Sequence, residues 1–447
     1  MNPYLKSANE MNRRRFIEKL AKSALGVSVL GASGMESFGQ AGKSGAATAD
    51  HCILLMMTGG MSHLDTFDPK PGKPEVMGKT GVVKSAITGE PFGDTIPLLA
   101  KQADKLAVIR NMYQRTADHR QATYTMRTSY SMRPTIVHPS MGAWAQRLLG
   151  KKNATLPDSV TVGAEVGHPG QGFFSPEFSP MPVGSADKGV QNMTPFGYNW
   201  SDQKKAEYGE ILTRRLELTE ALDAPFREEV KHEKVAAYTQ FYDETLKFLG
   251  SEDLKLFDLN DEKDEVRDRY GRNGFGQGCL LAKRLVKGGV RFVEVTHGGW
   301  DTHVDNFETT PELANVLDMG AASLLQDLEA EGLLSRTMVV IASEFGRTPK
   351  INGNSGRDHH SIAFSCAVAG GGAKGGQIIG KSDAIGERLE SEPNEPKELN
   401  ATMAHALGLN LNEVIFSPSG RPFTVATHKQ DGSEVVSDAT PIKEVFG

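Results

Sequence analysis

The sequence predicts an α/β fold, a mostly parallel sheet covered by helices on both faces. Three observations carry this. Short apolar, β-rich runs alternate with helical stretches, the pattern of strand–helix–strand units. The composition, 38% hydrophobic and 24% charged over 447 residues, is that of a globular chain with a real core. Polar clusters stand directly behind three of the predicted strands, where open α/β sheets bind ligands.

At the N-terminus, Asn12-Arg13-Arg14-Arg15-Phe16-Ile17 precedes a weakly apolar run, Ala24 to Leu30, and small residues to about Ala41. A basic segment, a short apolar segment and a small-residue exit form a secretory leader, here of the twin-arginine type. The apolar run is far short of the ~20 residues that cross a bilayer, so no permanent transmembrane segment is expected. Residues 1–45 are read as leader and linker and 46–447 as the folded domain. Export through the twin-arginine translocase to the periplasm or beyond follows as an expectation.

Strands are expected at 53–57, 106–109, 290–295, 338–341 and 363–368, each a short buried run. Helices are expected at 142–149, 277–287 and 313–331, the last with Leu313, Leu317, Leu324, Leu325 and Leu328 near one face, and again at 400–411. Residues 151–200 break the rhythm with Gly, Pro, Ser and Phe, and 201–250 read as a charged helical stretch. Residues 151–265 are therefore taken as an insertion, a loop-rich cap and a helical hairpin.

Fifty basic against 56 acidic residues give a net charge of −6, so no nucleic-acid partner is implied. Cys52, Cys279 and Cys366 are too scattered for a disulfide framework or a metal knuckle and read as buried small hydrophobes. Gly274 to Gly278 opens a helix without a preceding strand, which fails the context test for a dinucleotide loop. Gly370 to Gly376 lacks the ending of a phosphate-binding loop, and no Gly-x-Ser-x-Gly elbow occurs.

The chemistry-bearing clusters are Thr58 to Asp68, Thr296 to Asp305 and Ser343 to Thr348, with a fourth, Gly356 to His360, in the following loop. Carboxylates and imidazoles together suit zinc, manganese or iron, whereas calcium would need mainly oxygens. Asp301, His303, Glu344 and His359 are expected to ligate directly, with Asp65 and Asp358 as further candidates. Arg347 is expected to hold an oxyanion. Each cluster also has a plainer reading: Asp65 and Asp68 as turn caps, Glu344 with Arg347 and Arg357 with Asp358 as internal salt bridges.

These residues resemble one bacterial family, that of domain of unknown function 1501. The resemblance rests on the leader, on Gly59 to Lys70, Tyr270 to Gln277, Gly299 to His303, and on Glu344 to Pro349 through Gly356 to His360. It covers essentially the whole chain after the leader. It implies an alkaline-phosphatase-like fold, a three-layer αβα sandwich shared with sulfatases and phosphodiesterases. It further implies one or two metals held by Asp and His residues after the strands, and a hydroxyl nucleophile at a helix N-terminus. Asp301 matches the later metal-binding Asp, Glu344 falls where the next Asp would be, and His359 or His360 where the last His would be.

Phe345 stands where that superfamily has a His, and Thr58-Gly59 where it has its first-strand Asp. His119 lies near the expected nucleophile, while Ser62, Thr116 and Thr123 are hydroxyl candidates among which nothing selects. One metal, or none, is therefore expected in place of two. Two functions follow: an exported metal-dependent hydrolase of phosphate or sulfate esters on small molecules or glycans, with His119, Arg347 and Ser62 in catalytic roles, or a non-catalytic exported binding or structural protein on the same fold.

Overall fold

The computed structural model describes residues 47–163, 167–186 and 251–447, with scattered positions between 210 and 248. The leader, most of the helical stretch at 201–250, and the cap aromatics Phe196, Tyr198 and Trp200 lie outside the described residues.

The strands up to residue 379 are β1 (His51–Met57), the short β2 (Val82–Val83) and β3 (Phe92–Gly93), β4 (Leu106–Met112), β5 (Ser159–Val162), β6 (Met181–Val183), β7 (Phe292–His297), β8 (Thr337–Ser343), β9 (Gly346–Ile351), β10 (Arg357–His360), β11 (Phe364–Ala369) and β12 (Gln377–Ile379), and two short hairpins follow. Eight of them form one sheet in the order β12-β4-β11-β8-β1-β7-β5-β6. Every pairing in it is parallel except those of β11, which runs antiparallel to β4 and β8. The exception has a local cause. No crossover helix separates β8 from β11, and the β9–β10 hairpin returns the chain to the edge it has just left, so the next strand must run back.

Helices α1 (His119–Thr128), α2 (Met141–Leu149), α3 (Gly274–Gly288), α4 (Asn306–Ala330) and α5 (Pro396–Leu407) cover the sheet. Alternation along β1 feeds two core layers. Ile53, Leu55 and Met57 pack in one with Leu281 and Leu285 of α3 and Leu317 and Leu324 of α4. Cys52, Leu54 and Met56 pack in the other with Trp144 of α2 and Met403 of α5. Each such fully buried aliphatic side chain contributes about 1.5–3 kcal/mol. All three cysteines are buried and free, as the sequence predicts.

The structure corrects three boundaries. Residues expected to form only a cap supply β5 and β6, which extend the sheet past β7. The cluster expected in a loop at 356–360 is a strand, with His359 opposite Arg347 in the β9–β10 hairpin. The last helix runs from Pro396 to Leu407 and stops at Gly408 in the left-handed region, earlier than the apolar pattern predicts. Among the cap aromatics, Phe173, Phe174 and Phe178 pack on one another and on Trp144, the loop's own small core. No helix among the described residues is long and apolar enough to cross a membrane.

Candidate functional site

Register brings the clusters together. Met57 at the end of β1 pairs with His297 on one side and with Ser343 on the other, so all three strands release their next residues at one sheet edge. Two glycines then allow close approach. A Cβ on Gly59, whose φ is +110°, would lie 2.6 Å from the backbone nitrogen of Asp301. A Cβ on Gly356 would lie 1.9 Å from the carbonyl oxygen of His303, so the tip of the β9–β10 hairpin rests directly on the 301–305 loop. Helix α1 completes the group: Asp118 caps it by accepting the Gln121 N–H at 2.9 Å, which places His119 at its first position.

Three imidazoles meet one carboxylate oxygen. Asp301 Oδ1 lies 3.3 Å from His119 Nε2, 3.1 Å from His303 Nε2 and 3.2 Å from His359 Nε2. In each ring the other nitrogen is already engaged. His119 Nδ1 donates to Glu344 Oε1 at 2.8 Å, His303 Nδ1 to Asp358 Oδ1 at 2.8 Å, and His359 Nδ1 to the Ala117 carbonyl at 2.7 Å. A carbonyl or an ionised carboxylate only accepts, so these contacts place a proton on each Nδ1 and turn a lone pair on each neutral ring toward Asp301. The buried Phe345 forms the floor, its ring 4.8 Å from that of His119 and 4.9 Å from that of His359.

The electrostatics follow from these partners. Burial alone would raise the Asp301 carboxyl, but the Arg347 guanidinium outweighs it and holds it at about 2. The hydrogen bond to Glu344 raises His119 above the usual histidine value, whereas burial lowers His359. Asp301, Glu344 and Asp358 bring three negative charges against the single guanidinium of Arg347.

The donor set fits a divalent cation. His119 Nε2 is buried and has no hydrogen-bond partner among the described residues, although it faces the cluster. One proton could relieve one ring against Asp301 and would leave the others opposed; a cation shared by His119, His359 and Asp301 relieves two rings at once and offsets the excess negative charge. His119, Asp301 and His359 offer ligand atoms that all lie within 4.8 Å of one another, and their nitrogen and oxygen donors suit zinc, manganese or iron.

Several expected roles change. Glu344, fully buried, stands behind His119 and accepts the Gly59 N–H at 2.8 Å with the same oxygen, so both of its close contacts orient the His119 ring. Asp358 does the same for His303 and also accepts from Asn352 at 3.1 Å. Arg347 is no oxyanion fork: it is buried and donates to the carbonyls of Gly59, Gly60 and Arg357 and, at 2.6 Å, to Asp301. Asp65 contacts none of the three histidines around Asp301. Its oxygens take Arg357 at 2.9 Å, Ser62 and Thr80 at 2.6 Å and Asn306 at 3.1 Å, which leaves no lone pair for a metal. Ser62 is spent in the same contact and buried, so it is not placed as a nucleophile. His303 lies at the open side of the cluster, its side chain 41% exposed.

The Ala117 carbonyl was not legible as a partner, since any residue supplies one. The Gly59 and Gly356 approaches carried a signal only as glycines next to clusters.

A model of the family described as "Protein of unknown function (DUF1501)" matches residues 49–437. No curated protein matches the chain. Among solved structures, the chain is similar to a lipoteichoic acid synthase from Listeria monocytogenes, with 11% identity, a TM-score of 0.35 and coverage of 87% of this chain and 84% of that one. It is also similar to an alkaline phosphatase from the Antarctic bacterium TAB5, with 9% identity, a TM-score of 0.35 and coverage of 81% and 99%. A sulfatase from Pseudoalteromonas sp. matches with 16% identity, a TM-score of 0.35 and coverage of 82% and 69%.

Proposed function

The chain belongs to the DUF1501 family, and from that premise and the geometry above we propose that it is an exported, metal-dependent hydrolase of phosphate or sulfate esters. The observation that carries the reading is the convergence of three imidazole Nε2 atoms on Asp301 Oδ1 with every Nδ1 already engaged. The reaction class comes from the motif resemblance set out above, and export from the twin-arginine pattern at Arg13 to Phe16.

His119, His359 and Asp301 would hold the cation, with His303 at the open side. A divalent cation in such a site polarises an ester oxygen and lowers the pKa of water. The chain's own part is positioning. Glu344 fixes the ring of His119, the Ala117 carbonyl that of His359, and Arg347 the carboxylate of Asp301. With Ser62 buried against Asp65, the attacking oxygen is assigned to water. His303, half-exposed and steadied by Asp358, would offer its Nε2 lone pair at the solvent side to take a proton from the attacking water.

Elemental analysis of the purified protein, paired with a panel of phosphate and sulfate esters for wild type and Asp301→Ala, tests the reading. Bound metal and turnover are expected in the wild type, and both are expected to fall together in the variant while its fold is kept. A folded wild type that takes up neither zinc, manganese nor iron and turns over no ester would leave the non-catalytic binding protein as the better description.

A further inference from the structure

We propose that a polar cavity on the other side of α1 binds a neutral sugar ring. The cavity has a volume of about 310 Å³, the lower end of the ~300–1,000 Å³ usual for small-molecule sites. Three separate segments enclose it: the strap and helix from Gln114 to Met132, the start of α5 at Glu395 to Lys397, and Thr427 with Asp438 near the C-terminus.

The lining decides the ligand class by elimination. Among the described residues no aromatic side chain lines it, so a nucleobase has nothing to stack on. Met132 and Pro396 are the only apolar residues among the described ones that line it, too little for an acyl chain. Its two cations are already matched, Arg115 with Glu395 at 3.0 Å and Lys397 with Asp438 at 3.3 Å, so the charges cancel and a polyanion gains nothing. What remains is a lining rich in hydroxyls and amides, which both donate and accept, as a polyol requires. The Gln121 amide and the Ser131 hydroxyl face this space without a hydrogen-bond partner among the described residues, while Thr125 and Ser129 have hydroxyls with lone pairs to spare.

The site is separate from the cation cluster but shares its supports. Residues 114–116 line the cavity and lead straight into Ala117, whose carbonyl holds His359, and α1 carries His119 on a different face from Gln121 and Thr125. A glycan seated there would lie beside the strap that positions both imidazoles. The proposal stands whether or not ester hydrolysis is found.

Saturation-transfer NMR with cellotriose, maltotriose and triacetylchitotriose tests it. At least one of the three is expected to bind saturably, and Gln121→Leu with Ser131→Ala, both at exposed positions, to weaken that binding at least about tenfold, the loss of one or two hydrogen bonds. Asp301→Ala is expected to leave it unchanged. Failure of all three sugars to bind, binding indifferent to the double variant, or binding only of sulfated counterparts would overturn the proposal.

Discussion

Asp65 and Asp301 leave neighbouring strands at the same sheet edge, and each meets a buried arginine, yet they end in opposite states. Asp65 has a fully buried side chain, with hydrogen-bond donors from Ser62, Thr80, Asn306 and Arg357 on its two oxygens. Burial would raise its carboxyl, but the Arg357 charge and the two hydroxyls win and hold it below the usual range. Asp301 has a side chain 49% exposed, one arginine, and three imidazole nitrogens that neutral rings present as lone pairs. A saturated carboxylate is architecture, whereas one left facing acceptors asks for a cation. The difference lies in the neighbours' protons, not in the acid itself.

The largest test of this contrast is mutational. Asp65→Ala strands the buried Arg357 guanidinium and is expected to remove about 3–5 kcal/mol of stability. Asp301→Ala removes a half-exposed carboxylate but also takes the ion-pair partner from the buried Arg347, so a smaller loss of about 1–3 kcal/mol is expected, together with loss of the cation. Denaturant unfolding of both variants checks the pair. Equal losses from the two would erase the distinction.

Acid titration sharpens it with a second pair. Glu294 belongs to the saturated class: burial pushes it up, but Arg127 and His168 hold it at about 2. Its folded pKa lies below its unfolded one, so its contribution is present above about pH 4.5 and fades as pH falls toward 2, about 3 kcal/mol in all. Asp158 is the converse: its Oδ2 is buried with no partner among the described residues, and burial pushes it up to about 7. Its folded pKa lies above its unfolded one, so its contribution is present in acid and fades as pH rises from about 4 through 7. Relative to wild type, Glu294→Gln is expected to flatten the stability slope between about pH 4.5 and 2, and Asp158→Asn between about pH 4 and 7, with opposite signs.

The same contrast explains what the sequence discloses. The sheet was legible because β1, β8 and β11 are short, mostly apolar, fully buried runs, and the edge carrying the clusters followed from parallel pairing. β5 and β6 were not, since Ser159–Val162 and Met181–Val183 are brief strands inside glycine- and proline-rich surroundings, too short to show a period. Asp301, His119 and His359 were legible as residue types in clusters. Their division from Asp65, Glu344 and Arg347 was not, because it depends on which atoms are already hydrogen-bonded, a property of distant partners such as Asn306 and the Ala117 carbonyl.

Glu344 offers the finest cut, because both of its close hydrogen bonds go to one oxygen. Oε1 accepts from Gly59 and from His119, while Oε2 has only Ser343 Oγ at 3.4 Å. A glutamine can place its carbonyl at Oε1 and keep both bonds, losing only the charge. Partners behind metal-bound histidines are typically worth ~10–100-fold in affinity. Glu344→Gln is therefore expected near the small end, about tenfold weaker zinc binding in chelator competition with stability little changed. Glu344→Ala frees the His119 ring and strands the Gly59 N–H, so it is expected at the large end with a stability loss of about 1–3 kcal/mol. Were Glu344 a direct ligand, the glutamine variant would lose the metal as completely as the alanine one, and the placement of Glu344 behind His119 would have to be abandoned.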